Sequence, residues 1–305
     1  YGCTYGHITN WLSRFGVAHT AVDFKDLSLL RSAVLPSTRV LYFETPCNPT
    51  MEIIDIAAVC SQVDEINKGR PEEERIVTIV DNTFASPYAQ RPLTMGVDFV
   101  VHSLTKHIGG FGATMGGVVI GPRRAETDML LYRKDFGGSI SPDAAWHILV
   151  YGVPTLATRI ERQQTSAIRV AEVLDVHAKV ANVYYPGLDS FEQKELAMVQ
   201  MRDIDDNFAP GAMIYFELAG TLEESYKRAM RLCDHIAQNA LSVTLAVSLG
   251  QIRTLIEHPA SMTHSSIPPA EQIKAGIKPG GVRISVGIED VRDILQDLDR
   301  ALEAV

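Results

Sequence analysis

Ile76-Val77-Thr78-Ile79-Val80-Asp81 decides the fold: it is an apolar run closed by a carboxylate. Its β-branched residues suit a strand, and its lack of a polar face suits a strand covered on both sides. Two other stretches repeat the pattern. Arg39-Val40-Leu41-Tyr42-Phe43-Glu44 stops at the turn Thr45-Pro46-Cys47-Asn48-Pro49, and Phe99-Val100-Val101-His102 stops at Ser103. Ile54 to Asn67 has helical spacing, with Ile56, Val59, Cys60 and Val63 on one face, and Lys68 to Arg75 reads as a charged loop. Val118-Val119-Ile120 adds a short strand after a glycine-rich turn. Apolar strands separated by helices predict an α/β fold with a mostly parallel sheet covered on both faces. Asn48, Asp81 and Ser103 then lie just beyond the carboxyl ends of strands, where open α/β sheets bind ligands.

The second half reads differently. Asp143 to Asp175 is a long helix interrupted near Gly152-Val153-Pro154, and Thr221 to Ala240 is another helix. Strands are expected at Met213 to Leu218, Val243 to Val247 and Val282 to Val286, before a closing helix from Asp290 to Leu302. The pattern predicts a smaller α+β domain over 156–305 after a larger one over 1–155.

Composition narrows the function. The chain has 305 residues, enough for two domains and a large core. A hydrophobic fraction of 46% and a charged fraction of 21% argue against disorder and coiled coil. The net charge of -9, with no long basic run, argues against nucleic acid or an anionic membrane as partner. No apolar stretch approaches the ~20 residues that span a bilayer, and no secretory signal opens the chain. Cys3, Cys47, Cys60 and Cys233 form no CxxC pattern, so neither a disulfide framework nor a zinc site is expected, and a reducing cytoplasm fits.

The densest polar cluster is Ser103-Leu104-Thr105-Lys106-His107. A partly desolvated lysine can form an imine with an aldehyde, while flanking hydroxyls bind a phosphate. Taken alone, the pattern favours a surface loop lysine. Asp81 strengthens the chemical reading, because a carboxylate closing an apolar strand needs a cationic partner. A protonated pyridine nitrogen supplies one, and the carboxylate keeps that ring an electron sink. Gly109-Gly110-Phe111-Gly112 and Gly116-Gly117 precede no Walker lysine and read as turn and packing glycines.

These motifs resemble those of the Cys/Met-metabolism pyridoxal-phosphate enzymes, which include cystathionine γ-synthase, cystathionine γ-lyase and methionine γ-lyase. The resemblance runs from Tyr1-Gly2-Cys3-Thr4 through Glu44 to Pro49, Asp81 to Tyr88, Gln90-Arg91-Pro92-Leu93 and His102 to Lys106. It continues through Glu257 to His264 and ends at Arg283 to Asp290. It implies the fold-type I architecture of the aspartate-aminotransferase class, pyridoxal 5'-phosphate as cofactor, a small amino acid as substrate, and a homotetramer of dimers that share active sites. It also implies residue roles. Lys106 would hold the cofactor and move protons. Asp81 would pair with the pyridine nitrogen, Ser103 and Thr105 would bind phosphate, and Asn48 would bond the phenolic oxygen. Tyr1 would stack on the ring and act as an acid. Arg283 would grip the substrate carboxylate as a fork that lysine could not replace, with Ser248 lining the same place.

Members of this family share the removal of an α-proton, then diverge at the γ-carbon. A lyase releases 2-oxobutanoate, ammonia and a thiol, whereas a synthase adds a thiol. Cys3, placed near the substrate by the resemblance, and Lys134-Asp135 both resemble methionine γ-lyases; γ-elimination is therefore expected, with γ-replacement on an activated homoserine as the alternative. Ala113-Thr114, Leu104, His107 and the insertion from Lys68 to Arg75 depart from the family pattern and bear on substrate choice. Tyr1 opens the chain without an initiator methionine. The expectation is that an N-terminal segment is missing, one that in the family carries a phosphate loop and a Tyr-x-Arg pair reaching a neighbouring subunit. A species truly beginning at Tyr1 would be a weak, non-catalytic binder of the cofactor.

Overall fold

Backbone pairing follows the apolar runs. The computed structural model describes residues 1–305. Strands β1 (Val40–Glu44), β2 (Val77–Asp81), β3 (Phe99–Ser103) and β4 (Gly117–Ile120) form one sheet in that order. The first three are parallel and β4 runs antiparallel to β3. On one face, Leu41, Phe43, Val80 and Val100 bury against Leu30 and against Ile56, Val59, Cys60 and Val63 of the helix Ile56–Asn67. That helix starts at Ile56 rather than Ile54. The Ile53 and Ile54 amides donate instead to Gln193 Oε1 and Thr45 Oγ1, at 2.8 and 3.0 Å, and the Asp55 side chain caps the first turn.

The other face is less deeply buried. Tyr42, Glu44, Ile79, Asp81, Val101 and Ser103 alternate with the buried residues and are only half-buried. The helix Glu126–Phe136 buries none of its residues and so does not cover them. The polar strand-end residues all stand on this half-open face.

The second sheet has the order β5 (Val180–Tyr184), β6 (Met213–Leu218), β9 (Gly281–Ser285), β8 (Thr254–Glu257), β7 (Val243–Leu245). Only β7 and β8 are parallel. Helices Val153–Asp175, Leu222–Asn239 and Val291–Glu303 pack on it around the largest core cluster, with Ile214, Phe216, Ile256, Val282 and Ile284 at its centre. A capping box of Thr221 and Glu224 opens the helix Leu222–Asn239. Beyond that helix, buried Asp297 accepts from the amides of Leu241, Ser242 and Val243 at 3.0, 2.7 and 3.1 Å and feeds the chain into β7. The expected interruption at Gly152 is a wider turn, Ile148–Gly152, within a continuous helical run. A Cβ at Gly152 would stand 2.4 Å from the Ile108 carbonyl, so glycine is needed for this close approach to the loop after β3. Residue 155 lies in the first turn of the helix Val153–Asp175, which carries the chain from one sheet to the other. Neither β5 nor β8 is anticipated by the sequence reading. No helix is long and apolar enough to cross a membrane.

Candidate active site

Three parallel strand ends deliver the first set of groups. Glu44 and Asp81 face each other across β1 and β2, and Asp81 pairs in register with Val101 of β3. Asp81 Oδ1 accepts from the Thr83 amide at 3.0 Å, and Oδ2 accepts from the Tyr42 hydroxyl at 3.3 Å. Asp81 takes part in no ion pair within the chain. Burial pushes His102 down to about 4, with Asp81 pulling the other way, so it is neutral at pH 7, and its Nδ1 has no partner. After β1, the proline turn presents Asn48, whose amide donates to Glu44 Oε1 at 3.1 Å.

The chain tightens into a short helical turn, Leu104–Ile108, directly after Ser103, and Lys106 departs from helical geometry at φ -93, ψ -132. The Ser103 amide donates to Thr83 Oγ1 at 2.9 Å. Thr105 Oγ1 accepts from the Gly116 amide at 3.1 Å and makes only a long 3.4 Å contact to the Gly116 carbonyl, which leaves its proton for a better acceptor. Lys106 is half-buried, and desolvation first, then the Arg283 charge, lower its pKa.

The second sheet supplies the facing groups. Lys106 Nζ donates to Ser248 Oγ at 2.9 Å. Ser248 has a φ of 129, an uncommon backbone state for a residue with a side chain. This turn ends β7 at Leu245, short of the expected Val247. It is held by Gly250, where a Cβ would meet the His107 backbone nitrogen at 2.4 Å. Arg283 in β9 is 2% exposed. Its Nη1 donates to Asn48 Oδ1 at 2.9 Å and lies 3.0 Å from Glu257 Oε1, while Nη2 donates to the Ser248 carbonyl at 2.7 Å. Glu257 and Arg283 are register partners across β8 and β9.

Tyr1 stands at the open edge, 46% exposed. Its phenol is pushed up to about 12, first by contact with the Cys3 thiol and then by burial, with Asp81 raising it and Arg283 lowering it. Cys3 is an exposed free thiol whose charge, when ionised, would reach Lys106. The structure thus brings Lys106 to Ser248, Arg283 to Asn48, and Tyr1 to Cys3. Lys134 and Asp135 form a solvated pair at 3.7 Å on the exposed helix Glu126–Phe136 and contact none of these groups. Sequence reasoning missed Tyr42, Thr83, Thr263 and above all Glu257. The signal for Glu257 was faint, since only Leu255 and Ile256 precede it, against the longer run that Asp81 closes. No cluster of His, Cys, Asp and Glu is placed to hold a metal ion.

The Cys/Met metabolism PLP-dependent enzyme family model matches residues 1–303. This chain belongs to that family. An L-methionine gamma-lyase of Fusobacterium nucleatum is 41% identical over 309 residues, covering 100% of this chain and 72% of the relative. A cystathionine beta-lyase of Coxiella burnetii is 40% identical over 304 residues, covering 99% and 73%. The crystal structure of a cystathionine gamma synthase from Xanthomonas oryzae in complex with cystathionine superposes with a TM-score of 0.88 at 33% identity, covering 100% and 73%. The architecture is that of fold-type I, and the protein is a pyridoxal-phosphate-dependent enzyme of sulfur amino-acid metabolism. The residues present fit the cofactor: Asp81 is a carboxylate without a cation, and Lys106 is an amine whose neutral form burial favours.

Proposed function

We propose that this chain eliminates the γ-substituent of L-methionine or a related sulfur amino acid, giving 2-oxobutanoate, ammonia and a thiol. The observation that carries this assignment is the 41% identity with the L-methionine gamma-lyase of Fusobacterium nucleatum over the whole chain. Cys3 beside Tyr1 adds to it.

Pyridoxal phosphate, when bound, supplies an aldehyde that condenses with amines and an electron-poor ring that stabilises negative charge on the substrate. Lys106 would hold it through Nζ, Asp81 would pair with the ring nitrogen, and Ser103 and Thr105 would bind the phosphate. Asn48 uses Oδ1 for Arg283, leaving its Nδ2 donors for the phenolic oxygen. Lys106 Nζ would move the α-proton; its lowered pKa keeps a larger share of the amine neutral, and Ser248 Oγ orients it. Arg283 binds the α-carboxylate beside Ser248. Tyr1 would stack on the ring and, with a pKa near 12, keeps its proton on Oη at neutral pH, where it would serve as an acid toward the leaving sulfur.

The two sheets are assigned to domains 1–155 and 156–305. A homotetramer of active-site-sharing dimers in the cytoplasm completes the proposal, and exposed Trp146, Leu149 and Tyr151 offer apolar surface for such contacts. The alternative is γ-replacement on an activated homoserine, favoured by the likeness to the cystathionine gamma synthase structure. Incubation with L-methionine, following 2-oxobutanoate and thiol, separates the two. Product from methionine supports elimination. No product from methionine, with rapid turnover of O-acyl homoserine plus cysteine or sulfide, overturns it.

A further inference from the structure

A buried carboxylate stands beside the group that is meant to receive another carboxylate. Glu257 is 1% exposed and lies 3.0 Å from Arg283 Nη1. Arg283 does not hold it alone: Thr263 Oγ1 donates to the same Oε1 at 2.7 Å. Oε2 is buried without a partner. Burial raises the Glu257 pKa, while Arg283, Thr263 and Lys106 hold it down. Nη1 is thereby occupied by Glu257 and Asn48, Nη2 reaches Ser248, and the plane of the fork is fixed from both sides.

We propose that Glu257 is a positioning residue for the substrate carboxylate: it orients the Arg283 fork by geometry and weakens its attraction for an incoming carboxylate by charge. The proposal rests on Arg283 as the carboxylate site. Orientation and charge act in opposite directions, and two substitutions separate them. Glu257→Gln keeps an oxygen toward Nη1 and Thr263, and its amide falls where Oε2 makes no bond, so the geometry survives and the negative charge is lost. Glu257→Leu loses both. A purely structural role would move both variants the same way. Only a charge close to the carboxylate site lets the Gln variant bind more tightly.

The probes are L-norleucine, which has the shape of methionine without a γ-leaving group, and L-norleucinol, in which a hydroxymethyl replaces the carboxylate. Binding is followed as the change in cofactor absorbance of the holoenzyme, with the retained resting band reporting an intact site. Glu257→Gln is expected to bind norleucine about tenfold more tightly and Glu257→Leu at least about tenfold more weakly, while norleucinol changes little in either. Thr263→Val, a milder change at a half-buried position, is expected to weaken norleucine a few-fold by loosening Glu257. The proposal is overturned if Gln and Leu both weaken norleucine, if norleucinol shifts as much as norleucine, or if Thr263→Val leaves norleucine binding unchanged. Arg283→Met is the control for the underlying assignment. Norleucine binding unaffected by that change removes the carboxylate site itself, whereas its loss together with parallel Gln and Leu effects removes only the role of Glu257.

Discussion

Replacing Arg283 by methionine keeps most of the side-chain volume and strips Glu257 of its cation. Both partners are at most 2% exposed, so no water takes over the role of the guanidinium. Breaking a buried pair from one side costs about 3–5 kcal/mol, because a charge is left uncompensated in a poorly polarisable place. Thr263 still donates to Glu257 Oε1, which places the loss toward the lower end, while Asn48 Oδ1 and the Ser248 carbonyl lose their donors and push it up. About 4 kcal/mol at pH 8 is the expected loss. The loss must also depend on pH. Burial already raises the Glu257 pKa and Arg283 lowers it, so removing Arg283 moves it further above the unfolded value. A folded-state pKa above the unfolded one favours the protonated fold: the variant regains stability at low pH and loses it as pH rises through the folded value, at up to ~1.4 kcal/mol per unit. Urea unfolding followed by circular dichroism at pH 5.5 and pH 8, on parent and variant, measures both. The difference between them should be at least about 1 kcal/mol smaller at pH 5.5. Adding Glu257→Leu should return stability to within about 2 kcal/mol of the parent, since an apolar replacement of a buried pair is often neutral. A variant as stable as the parent at pH 8, or one with the same loss at both pH values, would refute the reasoning.

Asp81→Asn keeps an oxygen for the Thr83 amide and a shape that fits against Tyr42, so the fold should hold. Cofactor affinity should fall roughly 10- to 100-fold, the ~1.5–3 kcal/mol of a charge-assisted hydrogen bond, and unchanged affinity in a titration of the apoprotein would count against the pairing. Acidification should destabilise the chain below about pH 6.5, because buried His102 and His107 have pKa values pushed down to about 4 and about 3 and unfolding lets them charge. His102 alone accounts for ~3 kcal/mol between its unfolded and folded values; urea midpoints that stay flat from pH 7 to pH 4.5 would contradict this.

Residues with a local signature were readable in advance. Asp81 and Ser103 end largely apolar strands, and Lys106 follows the hydroxyl residues Ser103 and Thr105, so the strand ends and the polar loop after β3 follow from the chain itself. Glu257 escaped because β8 is short and follows the turn at Ser248, so no run of alternating or continuous apolar residues announces it. The pairing of Glu257 with Arg283 is a matter of strand register, set by packing of β8 on β9 and invisible in either segment alone. The helix start at Ile56 depended on Gln193 and Thr45, which compete for the preceding amides from far along the chain and from the proline turn. The second face of the first sheet is less deeply buried than the apolar residues of its strands suggest. Strand composition reports what could be buried, and the helix Glu126–Phe136 does not bury it.

The central claim, that Lys106 carries the cofactor, has a direct test. The protein is saturated with pyridoxal phosphate, reduced with borohydride to fix any imine, digested, and its peptides are weighed. The reduced cofactor should appear on Lys106, and Lys106→Ala should lack both that peptide and the imine absorbance. Label on another lysine, or an imine band that survives Lys106→Ala, would contradict the account.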